Sequence, residues 1–439
     1  MKTRREFLRA TMLGASATWT LPMFIDRTFA SLHDASKDLA VQGATGREDT
    51  ILVVLQLAGG NDGLNTLVPF QDDVYHRARP RIAKKQKDLI RLDDQLGLNR
   101  AMPWLGAQLK EGGAGIIQGV GYPNPNRSHF VSTSIWETAD PENRSNTGWL
   151  GRYFDNACQG DDPAIGISFN RSQPQSFGAR RNPGVSISTP ELYRWLHGGG
   201  DEDMAAGFFN ALNQPEARLC DAAPVDGASI AMPAGCEPGV IAGESNLEFL
   251  ERVALDARVS SRKILELAGR HRTRVRYDST PVARNLNLVS RMIAGGMPTR
   301  VYYVSHGGFD THNNQNNSHD RLLGQLDGAL KSFFTDLREQ GNDKRVVVMT
   351  FSEFGRRVAE NASAGTDHGK ASCMFVVGPA ANPGLHGTHP SLADLDAGDI
   401  THTVDFRSVY ASLLEDWLRV PDVRPILGKP FPKLPLVRA

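Results

Sequence analysis

The sequence predicts an α/β fold, a mostly parallel sheet flanked by helices, with inserted segments covering it. Two observations carry that expectation. Four β-branched apolar runs show no polar alternation: Ile51 to Leu55, Gly115 to Gln118, Arg300 to Val304 and Arg345 to Met349. Strands covered on both faces read this way. Between the runs lie stretches with helical spacing, the strand–loop–helix–strand succession of βαβ units. A third observation concerns chemistry. The runs empty into Gly59-Gly60-Asn61-Asp62-Gly63, Asn126-Arg127-Ser128-His129, Gly307-Gly308-Phe309-Asp310-Thr311-His312 and Ser352-Glu353-Phe354-Gly355. Open parallel sheets bind ligands outside the carboxyl ends of their strands. One site fed from distant parts of the chain follows.

The elements are expected in this order. A strand at 51–57 opens the fold. The basic stretch with Arg79, Arg81, Lys84, Lys85 and Lys87 reads as a solvated helix or loop surface. Residues 101–111 predict a helix, 114–120 a strand and 129–139 a second helix. From about 160 to 245 the chain is rich in Gly, Pro, Asn and Ser, which predicts insertions and short strands over the site. Helical spacing returns at Leu247, Leu250, Ala254, Ala257, Ile264 and Ala268. It recurs at Val282, Leu286, Val289 and Ile293 before the Gly295-Gly296 stop. A strand to Val304, a helix at 319–340, strands at 345–350 and 372–377, and a helix at about 405–418 complete the pattern.

Upstream of the first strand, Thr3-Arg4-Arg5-Glu6-Phe7-Leu8 reads as a twin-arginine export motif. A weakly apolar run to Ile25 and a small-residue cleavage site at Thr28-Phe29-Ala30 follow it. The expectation is a signal peptide over 1–30, a linker over 31–49 and a single domain over 50–435. The twin-arginine machinery would be a partner, and the mature chain would be periplasmic or extracellular. The apolar run is too short and polar for a stable membrane span. The 439 residues carry 49 Lys and Arg against 49 Asp and Glu. That balance gives no reason to expect nucleic acid as a partner. Four cysteines, Cys158, Cys220, Cys236 and Cys373, show no zinc-ligand spacing. Cys220 and Cys236 flank a loop-like stretch and could pair in an oxidising compartment or stay unpaired.

The candidate residues follow from the loops. Asp62 in its glycine turn could point at a cation or hydrogen-bond its own backbone. Ser128 sits where a loop meets a helix start, either as a cap or as a nucleophile in an oxyanion-stabilising field. Arg127 and His129 beside it support an anion site. Asp310 and His312, two residues apart in a loop, can reach one divalent ion. His319 either joins them or only helps to start the next helix. Glu353 could ligate or pair with Arg356 or Arg357. His368 is a second imidazole candidate, with Asp367 as ligand or orienting partner.

The motifs Gly59 to Gly63, Tyr122 to Phe130, Trp136-Glu137-Thr138-Ala139, Phe309 to His312 and Phe351 to Arg356 resemble an exported family known as domain of unknown function 1501. The order of strand-end residues also resembles, more distantly, the alkaline phosphatase superfamily of phosphatases, sulfatases and metal-dependent phosphoglycerate mutases. The resemblance implies an alkaline-phosphatase-like fold. It implies one or two divalent ions (zinc, manganese or calcium) with Asp62, Asp310, Glu353 and His368 at ligand positions, to which loop chemistry adds His312 and Asp367. Ser128 then falls at the nucleophile position. Two departures stand out. Phe354 follows Glu353 where the superfamily has a metal-binding His or Asn. His312 follows Asp310 by two residues where four is usual, and Asn314 holds the usual position. One metal site is therefore expected to be altered or lost. The expectation is a metal-dependent hydrolase of small phosphate or sulfate esters, with Ser128 or a metal-bound water as nucleophile. The competing expectations are a non-catalytic binding or assembly protein on a degenerate phosphatase fold and, more weakly, an acyl hydrolase.

Overall fold

The computed structural model describes residues 50–158, 163–170, 172–187 and 271–438. The expected signal peptide and linker, most of the expected 160–245 insertion, the helical spacing at 247–268 and both Cys220 and Cys236 lie outside them. Cys158 and Cys373 are free thiols.

The first strand, β1 (Ile51–Ala58), runs through the middle of a nine-stranded sheet. After it come α1 (Gly63–Thr66), β2 (Leu67–Val68), α2 (Asp73–Ala78), β3 (Leu89–Arg91), β4 (Gly97–Asn99), α3 (Pro103–Glu111) and β5 (Ala114–Gly121). Next are α4 (His129–Thr138), α5 (Trp149–Ala157), β6 (Gly166–Ser168), β7 (Val185–Ser186), α6 (Pro281–Ala294), β8 (Val301–Gly307) and α7 (Gln315–Glu339). The chain continues through β9 (Val346–Phe351), β10 (Ser372–Val377), β11 (Gly384–His386), β12 (Leu395–Asp396), β13 (Asp399–Ile400) and β14 (Val404–Asp405). It then forms α8 (Phe406–Ser412), one π-helical turn (Leu413–Trp417) and α9 (Arg424–Leu427).

The strand order is β11-β5-β10-β9-β1-β8-β6-β7, with β14 also on β5. Every pairing is parallel except those of β10, which runs antiparallel to β5 and β9. The expected mixed, mostly parallel α/β sheet is therefore the fold. Successive residues of a strand face opposite sides, and β1 divides accordingly. Ile51, Val53, Leu55 and Leu57 pack with Leu105 of α3, Leu286 and Val289 of α6 and Leu326 and Phe333 of α7. Leu52 and Val54 face the other layer, with Trp136 of α4, Phe154 of α5 and Tyr410 of α8. That double cover explains why the strand runs lack polar alternation.

This topology fixes where the site lies. β9, β1 and β8 are parallel neighbours, with Ala58 opposite Gly307 and Gln56 opposite Phe351. Their carboxyl ends deliver Glu353, the Gly59-Gly60 turn and the Asp310 loop to one edge. β5 delivers the start of α4 to the same edge. Because β10 is antiparallel, its beginning lies there too, bringing Asp367 and His368 with it.

Candidate metal centre

The site is built on close backbone approach. Gly59 adopts φ +119°, and a Cβ there would collide with the backbone nitrogen of Asp310. Gly60 has φ +80°, and a Cβ on it would strike the Phe354 ring. Only glycine gives both the positive φ and the clearance. The turn after β1 can therefore lie directly against the loops after β8 and β9.

Four side chains converge at that edge. His129 starts α4, Asp310 and His312 sit on the loop before α7, and His368 precedes β10. Ligand atoms of His129, Asp310 and His368 all lie within 4.8 Å of one another. His312 Nε2 is 3.0 Å from Asp310 Oδ1 and 2.9 Å from His368 Nε2. His368 Nε2 is 3.1 Å from Asp310 Oδ1, and His129 Nε2 is 3.5 Å from Asp310 Oδ2.

Each imidazole is oriented through its other nitrogen. His368 Nδ1 donates to the carbonyl oxygen of Arg127 at 2.8 Å, an atom that can only accept. His129 Nδ1 lies 2.8 Å from Glu353 Oε1, which also accepts the Gly59 N–H at 2.8 Å. His312 Nδ1 lies 3.3 Å from Asp367 Oδ1. With Nδ1 held by an acceptor, each imidazole turns its Nε2 toward the Asp310 carboxylate, there to donate as an N–H or to offer a lone pair to a shared cation. At 2.9 Å the Nε2 atoms of His312 and His368 share either one proton or one cation between them. Neighbouring ligands on a first-row divalent ion, with bonds of about 2.1 Å, lie about 3 to 3.4 Å apart. The separations among Asp310, His312 and His368 match that range, and His129 lies with Asp310 and His368 in one group within 4.8 Å. Three imidazoles and a carboxylate suit zinc, manganese or iron better than calcium, which prefers oxygen throughout.

The electrostatics agree. Partial burial works against charge on Asp310, but hydrogen bonds from Arg356 and His368 and the charges of Arg356 and His312 hold its carboxyl down at about 2. A hydrogen bond from Asn361, opposed by slight burial and aided by His312, lowers Asp367 as well. Arg356, itself buried, donates to Asp310 Oδ1 at 2.7 Å and to the carbonyls of Gly60, Phe309 and Thr366. It thereby ties the three loops together. Phe354 is buried, with its ring centroid 4.8 Å from that of His129 and 4.5 Å from that of His368. The residue that departs from the superfamily pattern forms an apolar wall behind two imidazoles.

Asp62 is not in the cluster. It is fully buried and caps α1, with Oδ1 accepting from the backbone of Leu64 and Asn65. Its Oδ2 accepts from Arg79 Nη1 at 2.7 Å and from Gln315. Burial would raise its pKa, but Arg79, His319 and the hydrogen bonds from Arg79 and Gln315 bring it below the usual carboxylate value. Asp62 already has its cation, a guanidinium. That corrects two expectations: Asp62 as a ligand, and the 79–87 stretch as wholly solvated. Arg79 and Lys84 are buried, and Lys84 pairs with Asp320 at 2.7 Å.

Glu353 and Asp367 hold imidazoles by their Nδ1 atoms and stand one shell behind the converging atoms. His319 is buried against Asn61, with Nε2 2.9 Å from Asn61 Oδ1. Ser128 is exposed at the N-cap of α4 and makes no capping bond. Arg127 pairs with buried Asp399 through its guanidinium, and its carbonyl orients His368.

The fold and the donor cluster define an α/β protein with a strand-end histidine–carboxylate centre. Residues 246–416 match the family described as protein of unknown function (DUF1501), which bears out the resemblance seen in the motifs. The sequence matches no curated protein. Similar solved structures include Ps i-CgsB in complex with k-i-k-neocarrahexaose, with TM-score 0.35 and 10% identity, covering 86% of this chain and 74% of that one. The lipoteichoic acid synthase LtaP from Listeria monocytogenes gives 0.28 and 9%, covering 77% and 68%. The alkaline phosphatase from the Antarctic bacterium TAB5 gives 0.28 and 10%, covering 76% and 94%.

Proposed function

We propose that this chain is an exported, metal-dependent hydrolase of phosphate or sulfate esters, acting outside the cytoplasm after twin-arginine export. The observation that carries the reading is the approach of three imidazole Nε2 atoms to the Asp310 carboxylate, each ring held by an acceptor on its Nδ1. His129, Asp310, His312 and His368 would hold a single divalent ion, with Glu353 and Asp367 behind them. When bound, such an ion polarises an ester oxygen and lowers the pKa of a nucleophile beside it. The chain contributes the rest. The ten-residue α4 turns its positive N-terminal end toward the cluster, a setting that favours an anionic ester. Ser128, exposed at that end, or a water is the nucleophile. Phe354 keeps water from the back of two imidazoles.

A hydrolysis screen of 4-nitrophenyl phosphate, phosphodiester and sulfate tests this, run with and without chelator on wild type and Asp310→Ala. Chelator-sensitive turnover that Asp310→Ala loses is expected. Turnover indifferent to chelator and to that substitution contradicts it. The second reading, a non-catalytic binding protein, is favoured by the Arg79 guanidinium on Asp62, since it leaves one cation centre where the superfamily pattern has room for two. A metal-loaded protein inert toward every ester would support that reading.

A further inference from the structure

An open cleft of about 460 Å³ leads away from the His129–Glu353 side of the centre, within the range of small-molecule sites. One wall is α4, which lines it with Phe130, Thr133, Ser134 and Glu137. Those positions, i, i+3, i+4 and i+7, form one helix face. Gln56 of β1 and Gln175 line it as well.

We propose that this cleft is a subsite for a neutral glycan, so that the ester substrate is a sugar ester; the second half of that statement rests on the hydrolase reading, the first does not. Phe130 is 89% exposed and is the sole exposed large hydrophobic among the described residues. So exposed a ring offers its face to a ligand in the cleft. Below it several polar side chains are held in place. Glu137, nearly buried, accepts from the Gln175 backbone N–H at 2.7 Å and from Tyr303 Oη at 2.8 Å. The Gln56 carboxamide lies 3.0 Å from Tyr303 Oη, which fixes it at the cleft wall. The Thr133 hydroxyl and the Gln175 carboxamide complete a set of hydroxyl, amide and carboxylate groups. A polyanionic chain running down the cleft would meet Glu137 with no Lys or Arg among the lining residues to offset it. A pyranose meets complementary chemistry: its C–H face lies on an aromatic ring, and its hydroxyls both donate and accept.

The test is binding without turnover. Fluorescently labelled full-length protein is applied to an array of neutral glucan, galactan, mannan and chitin oligosaccharides, and Kd is then measured for any that bind. Wild type is expected to retain at least one glycan type. Phe130→Ala should weaken it by roughly tenfold or more, the scale of one aromatic contact, and Phe130→Trp should restore it. Because Phe130 is exposed, its truncation spares the fold, and Gln175→Ala gives a second variant with the same expected loss. An array with no neutral glycan bound overturns the proposal, as does binding indifferent to both Phe130→Ala and Gln175→Ala. Absence of ester hydrolysis in a glycan-binding protein sinks the hydrolase reading alone. Absence of glycan binding in an active hydrolase sinks this one alone.

Discussion

Replacing Asp62 by Ala separates a structural carboxylate from a ligand. The Asp62 and Arg79 side chains are both fully buried. Besides Asp62, the guanidinium has only neutral acceptors: Asn65 Oδ1 at 2.8 Å and the carbonyls of Val358 and Arg357, each at 2.8 Å. Deleting the carboxylate leaves a buried cation without its counter-charge, a change that costs about 3–5 kcal/mol. The same substitution removes the cap of α1, worth about 1 kcal/mol, and strips a partner from Gln315. These contributions share atoms and do not add in full, so a loss of about 4 kcal/mol is expected. Against a total stability of about 5–15 kcal/mol, urea denaturation at constant pH reads it directly. Asp62→Ala/Arg79→Met should recover much of the loss, because no uncompensated charge remains. Metal content of the same preparations, by elemental mass spectrometry, should stay at the wild-type level wherever the protein is folded. If Asp62→Ala kept its urea midpoint but lost the metal, the carboxylate would be a ligand and the assignment of Arg79 as its cation would be refuted.

Substituting the carboxylates that orient the imidazoles, Glu353→Gln or Asp367→Asn, should weaken metal affinity by roughly 10–100-fold with little change in stability; unchanged affinity by competition with a chelating dye would count against their orienting role. His319 supplies a pH signature. Burial lowers its pKa to about 4 despite the nearby charges of Asp62 and Asp320. The unfolded chain therefore binds the extra proton first, and stability should be level above pH ~6.5, fall by roughly 3 kcal/mol as the pH drops from there to about 4, and flatten below. His319→Gln should remove that slope in urea titrations, and a slope that persisted would assign it elsewhere. The depressed pKa of Asp62 acts in the other acid window: the stability it contributes is present above about 3.8 and is lost only as its carboxylate is protonated below that. Ser128→Ala is expected to abolish ester turnover while sparing bound metal; unchanged turnover assigns the attack to water.

The layers of the fold were legible in the sequence because packing on both faces of the sheet writes itself into β1, β5, β8 and β9 as unbroken apolar runs. The expected strand at 372–377 is β10 to the residue, and the spacing from Val282 to Ile293 is α6. Strands β6, β7 and β11 to β14 have two or three residues each, too few for a period to register. The ligand set was harder. Asp310, His312 and His368 could be picked from loop chemistry alone. His129 read as a companion of Ser128, since its place beside Asp310 depends on the order β5-β10-β9-β1-β8, which no local pattern encodes. Asp62 looked like a ligand from its glycine turn. Its true partner is 17 residues downstream, in a basic stretch whose composition suggests solvent. Phe354 read as a lost ligand, and only its contacts show an apolar support for two imidazoles.

The central claim is that His129, Asp310, His312 and His368 hold one divalent ion. Metal content of the purified protein, never exposed to chelator, tests it most directly when measured beside His368→Ala. The account predicts one ion per chain in the wild type and none in the folded variant. A folded, metal-free wild type, or an ion that survives the loss of His368, would contradict it.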